Sequence, residues 1–209
     1  MSDRLHLVVA TFSRAKHREI ANILVAEGLD AEILNLADNL PTIVAPAETG
    51  VTFAENALIK AVGVARIPVI NLPTIADDSG LEVDALAGEP GIHSARYLGP
   101  DATDEERYLK VLALMCGTPE EQRTARFRCA AAFATPQGET LLAEGVCEGS
   151  IALAPAGTGG FGYDPIFIPS GQALTVAQLT AAQKNAISHR GKAFRALAGM
   201  VREWWLSNR

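Results

Sequence analysis

No run of apolar residues in this chain approaches the roughly eighteen that would argue for a membrane span, so a membrane partner is not expected. The N-terminal MSDRLHLVVATFSRAK is apolar only from Leu7 to Ala10 and carries no small-residue cleavage pattern, so no signal peptide is expected either. Cysteine is scarce. Cys116, Cys129 and Cys147 are an odd number, at spacings that fit neither a disulfide framework nor a zinc knuckle. They read as small buried hydrophobes in a protein of the reducing cytoplasm. Basic charge is in deficit, with 18 Lys and Arg against 24 Asp and Glu and a formal net charge of -6. The whole-surface field therefore repels polyanions, which excludes nucleic acid as a default partner, and any phosphate site must be built locally. Also missing are a G-x-x-x-x-G-K-[ST] P-loop, internal repeats, low-complexity tracts and long linkers.

What is present reads as one soluble α/β domain spanning residues 1–209, whose 48% hydrophobic and 20% charged residues suffice for one substantial core. Leu5 to Ala10 reads as a buried strand, followed by a turn at Thr11-Phe12-Ser13 and an amphipathic helix with Ile20, Ile23 and Leu24 on one face. Asp30 to Leu34 reads as a second strand. Thr52 to Arg66 reads as a helix with Phe53, Ala57, Ile59 and Ala61 apolar, stopped by Pro68 and Pro73. Thr103 and Glu106 have capping-box spacing before a helix over Asp104 to Cys116, read as scaffold. From Arg123 to Thr135 the residues Ala125, Phe127, Cys129, Ala131 and Phe133 alternate onto one face, and Thr140 to Ile151 follows across Pro136-Gln137-Gly138. That pattern is a hairpin, so part of the sheet is antiparallel. Phe194, Leu197, Val201 and Trp204 recur at helical spacing near the C-terminus.

Chemistry concentrates in a few stretches. In IADDSGLEVDALAGEPGIHSARY, an apolar approach meets Asp77 and Asp78, and Ser79-Gly80 is expected to turn the backbone sharply at a charged strand end suited to a divalent metal. Adjacent strand residues face opposite ways, so one carboxylate can serve a site while the other is tied to the scaffold. Which does which is left open. GTGGFG at Gly157 to Gly162 matches the dinucleotide fingerprint only formally, because Tyr163-Asp164-Pro165 follow instead of a helix and the motif lies late in the chain. A Rossmann oxidoreductase is thereby the weakest of the rival readings. The loop suits backbone that approaches a ligand closely, with an aromatic face and an acceptor beside it. Thr180 and Gln183 cap a short helix leading to Ser188-His189-Arg190-Gly191-Lys192, where Lys184, His189, Arg190 and Lys192 crowd one junction. Lys16 and Lys60 add dispersed cations of the kind a nucleoside triphosphate and its metal require.

TFSRAK, ETGVTFAENALIKA, IADDSGLEVDALAGEPGIHSARY, GTGGFGYDPIF and KNAISHRGKAFRAL together resemble, in order and from about Leu5 to Trp204, the inosine triphosphate pyrophosphatase family. The resemblance implies a long mixed, twisted sheet flanked by helices, two lobes with an active-site cleft between them, and a cytoplasmic homodimer. It implies hydrolysis of ITP, dITP or XTP to the monophosphate and pyrophosphate, with magnesium as cofactor and manganese as a substitute. Carried over to this chain, Thr11, Phe12, Ser13, Arg14, Ala15 and Lys16 would cradle the triphosphate, with Lys60 assisting. Glu48 and Asp78 would hold the metal, Asp78 would also be the catalytic acid/base, and Ser79 would contact the nucleotide. Phe161, Gly162, Tyr163 and Asp164 would line the base pocket, completed by Lys184, His189 and Arg190. The family's first motif reads Thr-Gly-Asn-x-x-Lys, whereas here Phe12 replaces the glycine and Ser13 the asparagine. Ser13 can still cap the helix. Two rival readings are a pyrophosphatase for a modified pyrimidine nucleotide, against which the SHR segment speaks, and a non-catalytic nucleotide sensor that keeps the site without turnover.

Overall fold

The computed structural model describes residues 4–39, 43–44 and 46–208. Along the chain run β1 (Leu5–Val9), α1 (Arg14–Ala26), β2 (Ala31–Asn35), α2 (Leu36–Asn39), α3 (Phe53–Ala65), β3 (Thr74–Val83), α4 (Asp104–Leu114), β4 (Thr124–Ala134), β5 (Thr140–Ile151), β6 (Phe167–Pro169), α5 (Ala181–Ile187) and α6 (His189–Ser207). The strands are ordered β2-β1-β3-β4-β5-β6 in one sheet. It is mixed, since β1 pairs parallel with β2 and β3 whereas β5 pairs antiparallel with β6. No helix among the described residues is long and apolar enough to cross a membrane.

Two compact units are formed, the first from Met1–Asp78, Cys129–Gly145 and Arg190–Arg209, the second from Ser79–Arg128 and Val146–His189. In the first, Leu5, Leu7 and Val9 of β1 pack with Ile20, Ile23 and Leu24 of α1, with Phe133 of β4, and with Phe194, Leu197 and Val201 of α6. Period-two burial from strands meets the 3.6-residue stripe of a helix, as the alternation predicts. Trp204 lies with its ring centroid 4.8 Å from that of Phe133 and donates its indole N–H to Glu139 Oε2 at 3.1 Å. The expected hairpin is present: Gly138, at φ 99°, donates to the Thr135 carbonyl at 3.0 Å, and the Thr135 N–H bonds Glu139. In the second unit Leu81, Val111, Met115, Phe127, Ile166 and Phe167 form the core. Buried Arg123 donates to the main-chain carbonyls of Met115, Ile151 and Ala152, clasping that core at its margin.

Two sequence expectations need correction. β3 does not end at Ser79-Gly80 but continues to Val83, with Asp77, Asp78 and Gly80 all buried. The left-handed turn comes later, at Ala87 (φ 53°) and Gly88 (φ 90°). Burial and ion pairing overrule the poor strand propensity of Asp-Asp-Ser-Gly. Helix α4 stops at Leu114, and Cys116 beyond it is exposed, while Cys129 and Cys147 are buried as expected. The glycines at 157 and 159 are explained by packing within the chain, since a Cβ at either would come within 2.6 Å and 2.8 Å respectively of the Ala177 carbonyl oxygen.

The capping boxes expected for α4 and α5 are formed, with Thr103 and Thr180 as N-caps, and α3 has a further one at Thr52 that was not expected. Thr103 Oγ1 accepts from the Glu106 N–H at 3.2 Å. A Thr103→Ala substitution is expected to cost about 1 kcal/mol and to lower the melting temperature by roughly 2–4 °C, read by thermal unfolding in circular dichroism. An unchanged melting temperature would count against the cap.

Candidate functional site

Asp77 and Asp78 point to opposite faces of β3 and meet different cations. The Asp77 carboxylate is 2% exposed. Its Oδ2 accepts from Arg190 Nη2 at 3.1 Å and Nε at 3.3 Å, and its Oδ1 accepts from Lys16 Nζ at 3.3 Å. Arg190 is equally buried and turns its remaining edge to Glu19, with Nη1 2.6 Å from Oε2. Burial alone would push the Asp77 proton affinity up, but Lys16, Arg190 and Lys60 overrule it and hold the carboxyl far below the usual range. On the other face, Lys60 Nζ donates to Asp78 Oδ1 at 3.2 Å and to Glu48 Oε1 at 3.0 Å. Asp78 is shifted the opposite way: burial raises its pKa, Lys60 opposes, and Glu48 adds a like charge. Burial would strip the Lys60 proton, yet Asp77, Asp78 and Glu48 keep it bound above the ordinary lysine value.

Local structure fixes these groups. Lys16 lies in the first turn of α1, whose N-cap is Ser13, its Oγ accepting from the Lys16 N–H at 3.3 Å. Thr11 Oγ1 in turn accepts from the Ser13 N–H at 3.1 Å. The serine thus caps as expected. Phe12 is 43% exposed, and it is not among the described residues with positive φ, so it replaces glycine without backbone strain. Arg14 faces Asp38 at 2.7 Å, and Ala15 is half-buried. Lys60 projects from α3, and the segment carrying Glu48 is held to the same helix: the Gly50 N–H donates to Asn56 Oδ1 at 2.8 Å. The Val51 and Thr52 N–H groups both donate to Glu55 Oε2. A Cβ at Gly50 would lie 2.6 Å from Glu55 Cβ, so glycine is required there.

The second unit holds another set. Lys184 Nζ donates to Asp164 Oδ2 at 2.6 Å and lies 4.6 Å from the Phe161 ring centroid, a cation–π contact. The same Asp164 oxygen accepts the Phe161 N–H at 2.9 Å, and the Gly162 N–H donates to Asp104 Oδ2 at 2.7 Å. Tyr163 belongs to the core, its hydroxyl donating to the Ser94 carbonyl at 2.9 Å; burial drives its phenol pKa upward. His189 is buried and stacks on Phe127, centroids 4.7 Å apart. Ser79 is half-buried in β3.

Of the residues expected from the sequence, Lys16, Asp77 and Arg190 therefore form one cluster, Glu48, Lys60 and Asp78 a second, and Phe161, Asp164 and Lys184 a third. Arg190, expected to read the base, spends three of its N–H groups on the carboxylates of Asp77 and Glu19. Glu19, Asn56 and Asp104 were not anticipated. Asn56 falls one helical turn before Lys60, a spacing that could have revealed it.

Glu48 and Asp78 are the pair that could hold a metal. Asp78 Oδ2 is buried and has no hydrogen-bond partner among the described residues. A buried carboxylate oxygen without a donor carries an uncompensated desolvation cost, and a hard cation would remove it. No group of three or more His, Cys, Asp and Glu disposed for a metal exists among the described residues. Two carboxylates are a donor set that suits a hard cation such as magnesium, and Glu48 and Asp78 would hold it.

Comparison with known proteins gives a consistent result. The family model described as the Ham1 family matches residues 7–200. A dITP/XTP pyrophosphatase of Streptomyces coelicolor is 51% identical over 197 residues, covering 94% of this chain and 97% of that protein. The structure of a HAM1 protein from Coxiella burnetii superimposes with a TM-score of 0.82 at 40% identity, covering 95% of this chain and 99% of the other. A nucleoside-triphosphatase and dITP/XTP pyrophosphatase from Mycobacterium abscessus gives a TM-score of 0.72 at 42% identity, with 94% and 98% covered. With nearly its whole length matched by sequence and by backbone alike, the chain belongs to the Ham1 family.

Proposed function

We propose that this chain hydrolyses non-canonical purine nucleoside triphosphates, namely dITP, XTP and ITP, to the nucleoside monophosphate and pyrophosphate. The observation that carries the reading is the placement of Asp77 and Asp78 in β3 against different partners, Asp77 against Arg190 and Lys16 and Asp78 against Lys60, which bias their proton affinities in opposite directions. A pair of carboxylates with proton affinities pushed apart supplies a permanent anion and a base in one place. Asp77 is the permanent anion, orienting Lys16 and Arg190. Asp78 is the base that would take the proton from water; burial, opposed by Lys60, raises its proton affinity while no metal is bound. Water attacks the alpha phosphorus, its oxygen forms the new P–O bond, the bond to the bridging oxygen breaks, and pyrophosphate leaves. Lys16 and the N-terminus of α1 attract the phosphate charge. Magnesium, held by Glu48 and Asp78, would supply charge neutralisation on the polyphosphate; manganese is the natural substitute. For the base, Lys184 provides a donor suited to the C6 oxygen of hypoxanthine or xanthine, and Phe161 a face for stacking. A C6 amino group would leave that donor facing another donor, which a hydrogen-bonding site penalises strongly. The reading includes a homodimer in the cytoplasm, supported by the family likeness.

The test is a panel of nucleoside triphosphates with purified protein, read as pyrophosphate release with and without magnesium. ITP, dITP and XTP are expected to exceed ATP in kcat/KM by about 10²-fold or more, and chelation should abolish turnover. Equal turnover of ATP and ITP would end the selectivity claim, and binding without pyrophosphate release would favour a sensor.

A further inference from the structure

Two consecutive backbone amides in the glycine-rich loop are each held by a carboxylate from a different element. Phe161 N–H donates to Asp164 Oδ2 at 2.9 Å, and Gly162 N–H donates to Asp104 Oδ2 at 2.7 Å. Asp104 is the first residue of α4, and the Thr103 capping box fixes the start of that helix. Its other oxygen is held in turn by Arg107 Nη1 at 3.1 Å. Arg107 is itself 9% exposed and tethered through Nη2 to the Gly99 carbonyl. Gly162 has φ 61° and open space where a Cβ would stand, so neither sterics nor packing of its own holds the peptide. The charge-assisted bond to Asp104 does.

We infer that Asp104 is a specificity-determining positioning residue: through the Gly162 amide it fixes the peptide that carries Phe161, and with it the Phe161–Lys184 face offered to the purine base. A helix read from the sequence as scaffold thus carries an anchor for the loop. The bond needs an acceptor oxygen at position 104, which an asparagine keeps without the charge assistance and an alanine lacks. The inference rests on the proposed pyrophosphatase function, because its kinetic consequence is a change in nucleotide KM.

The experiment compares Asp104→Ala, Asp104→Asn and Thr103→Ala with the unaltered protein, measuring kcat and KM for ITP and ATP by pyrophosphate release, and amide hydrogen exchange at Gly162. Thr103→Ala controls for weakening the start of α4 without touching the Gly162 bond. Asp104→Ala is expected to raise KM for ITP about tenfold, the loss of one hydrogen bond to a charged group, with kcat little changed, a smaller preference for ITP over ATP and faster exchange at Gly162. Asp104→Asn should fall between Asp104→Ala and the unaltered protein, and Thr103→Ala should stay near the unaltered protein. An unchanged KM in Asp104→Ala, an equal rise in Thr103→Ala, or failure of asparagine to rescue would each overturn the inference. If the unaltered protein releases no pyrophosphate from ITP, it is the proposed function that fails, and Gly162 exchange in Asp104→Ala still decides whether the anchor exists.

Discussion

An Asp78→Asn variant is expected to lose about 10²–10⁴-fold in kcat toward ITP, the range associated with removing a positioned proton acceptor, while melting within a few degrees of the unaltered protein. Folding should survive because the amide oxygen can still accept from Lys60, which bonds Asp78 Oδ1 at 3.2 Å. The substitution also removes a charge that burial already disfavours. Pyrophosphate release and thermal unfolding on the same preparation separate the two effects. A kcat within about tenfold of normal would place the proton acceptor elsewhere, with Glu48 the next candidate. The fate of Lys60 sharpens the test, because its ammonium keeps Glu48 as a partner at 3.0 Å even when residue 78 is neutral.

Asp77→Asn should do the reverse and damage the fold first. Arg190 is 2% exposed and draws on Asp77 through both Nε and Nη2, and Lys16 loses its carboxylate as well. Removing one partner of a buried ion pair costs about 3–5 kcal/mol, because the remaining charge stays out of water. Glu19 on Arg190 Nη1 should keep the loss toward the lower end. Acid titration gives an independent reading. The folded-state pKa of Asp77 lies below its unfolded value, so its stabilisation is present above the unfolded value of about 3.9. It is lost as pH falls from there, at up to about 1.4 kcal/mol per pH unit. Asp78 has the opposite sign: its raised folded pKa makes stability fall as pH rises from the unfolded value through the folded one. Denaturant unfolding across the acid range should therefore show a shallower acid-side loss in Asp77→Asn than in the unaltered protein. Parallel curves would mean that Asp77 is not held as a permanent anion.

Local patterns in the sequence were legible because local physics sets them. Alternation placed β4 and β5 within a residue of their observed ends, and threonine three residues before glutamate or glutamine marked the starts of α4 and α5. The five motifs named the residues of all three clusters. What escaped were distant pairings: Arg190 meets Asp77 across 113 positions and Glu19 across 171, and no window on the sequence joins them. Hence Arg190 was expected at the base, whereas the fold gives it to a carboxylate. Asp77 and Asp78 could not be told apart in the sequence for the same reason, since adjacent identical side chains acquire different character only from the cations that each face of β3 meets. The glycine-rich loop is packed against the protein at two of its positions. Its glycines at 157 and 159 are demanded by the carbonyl of Ala177, a neighbour inside the protein.

The packing of Trp204 on Phe133 has a spectroscopic consequence. Both indoles of the chain, Trp204 and Trp205, are in the last helix and the first compact unit, while all three phenols, Tyr97, Tyr108 and Tyr163, are in the second. Emission excited selectively in indole thus reports on one half of the molecule and tyrosine absorbance on the other, so this chain carries a built-in pair of probes for asking whether its halves melt together, with no label attached.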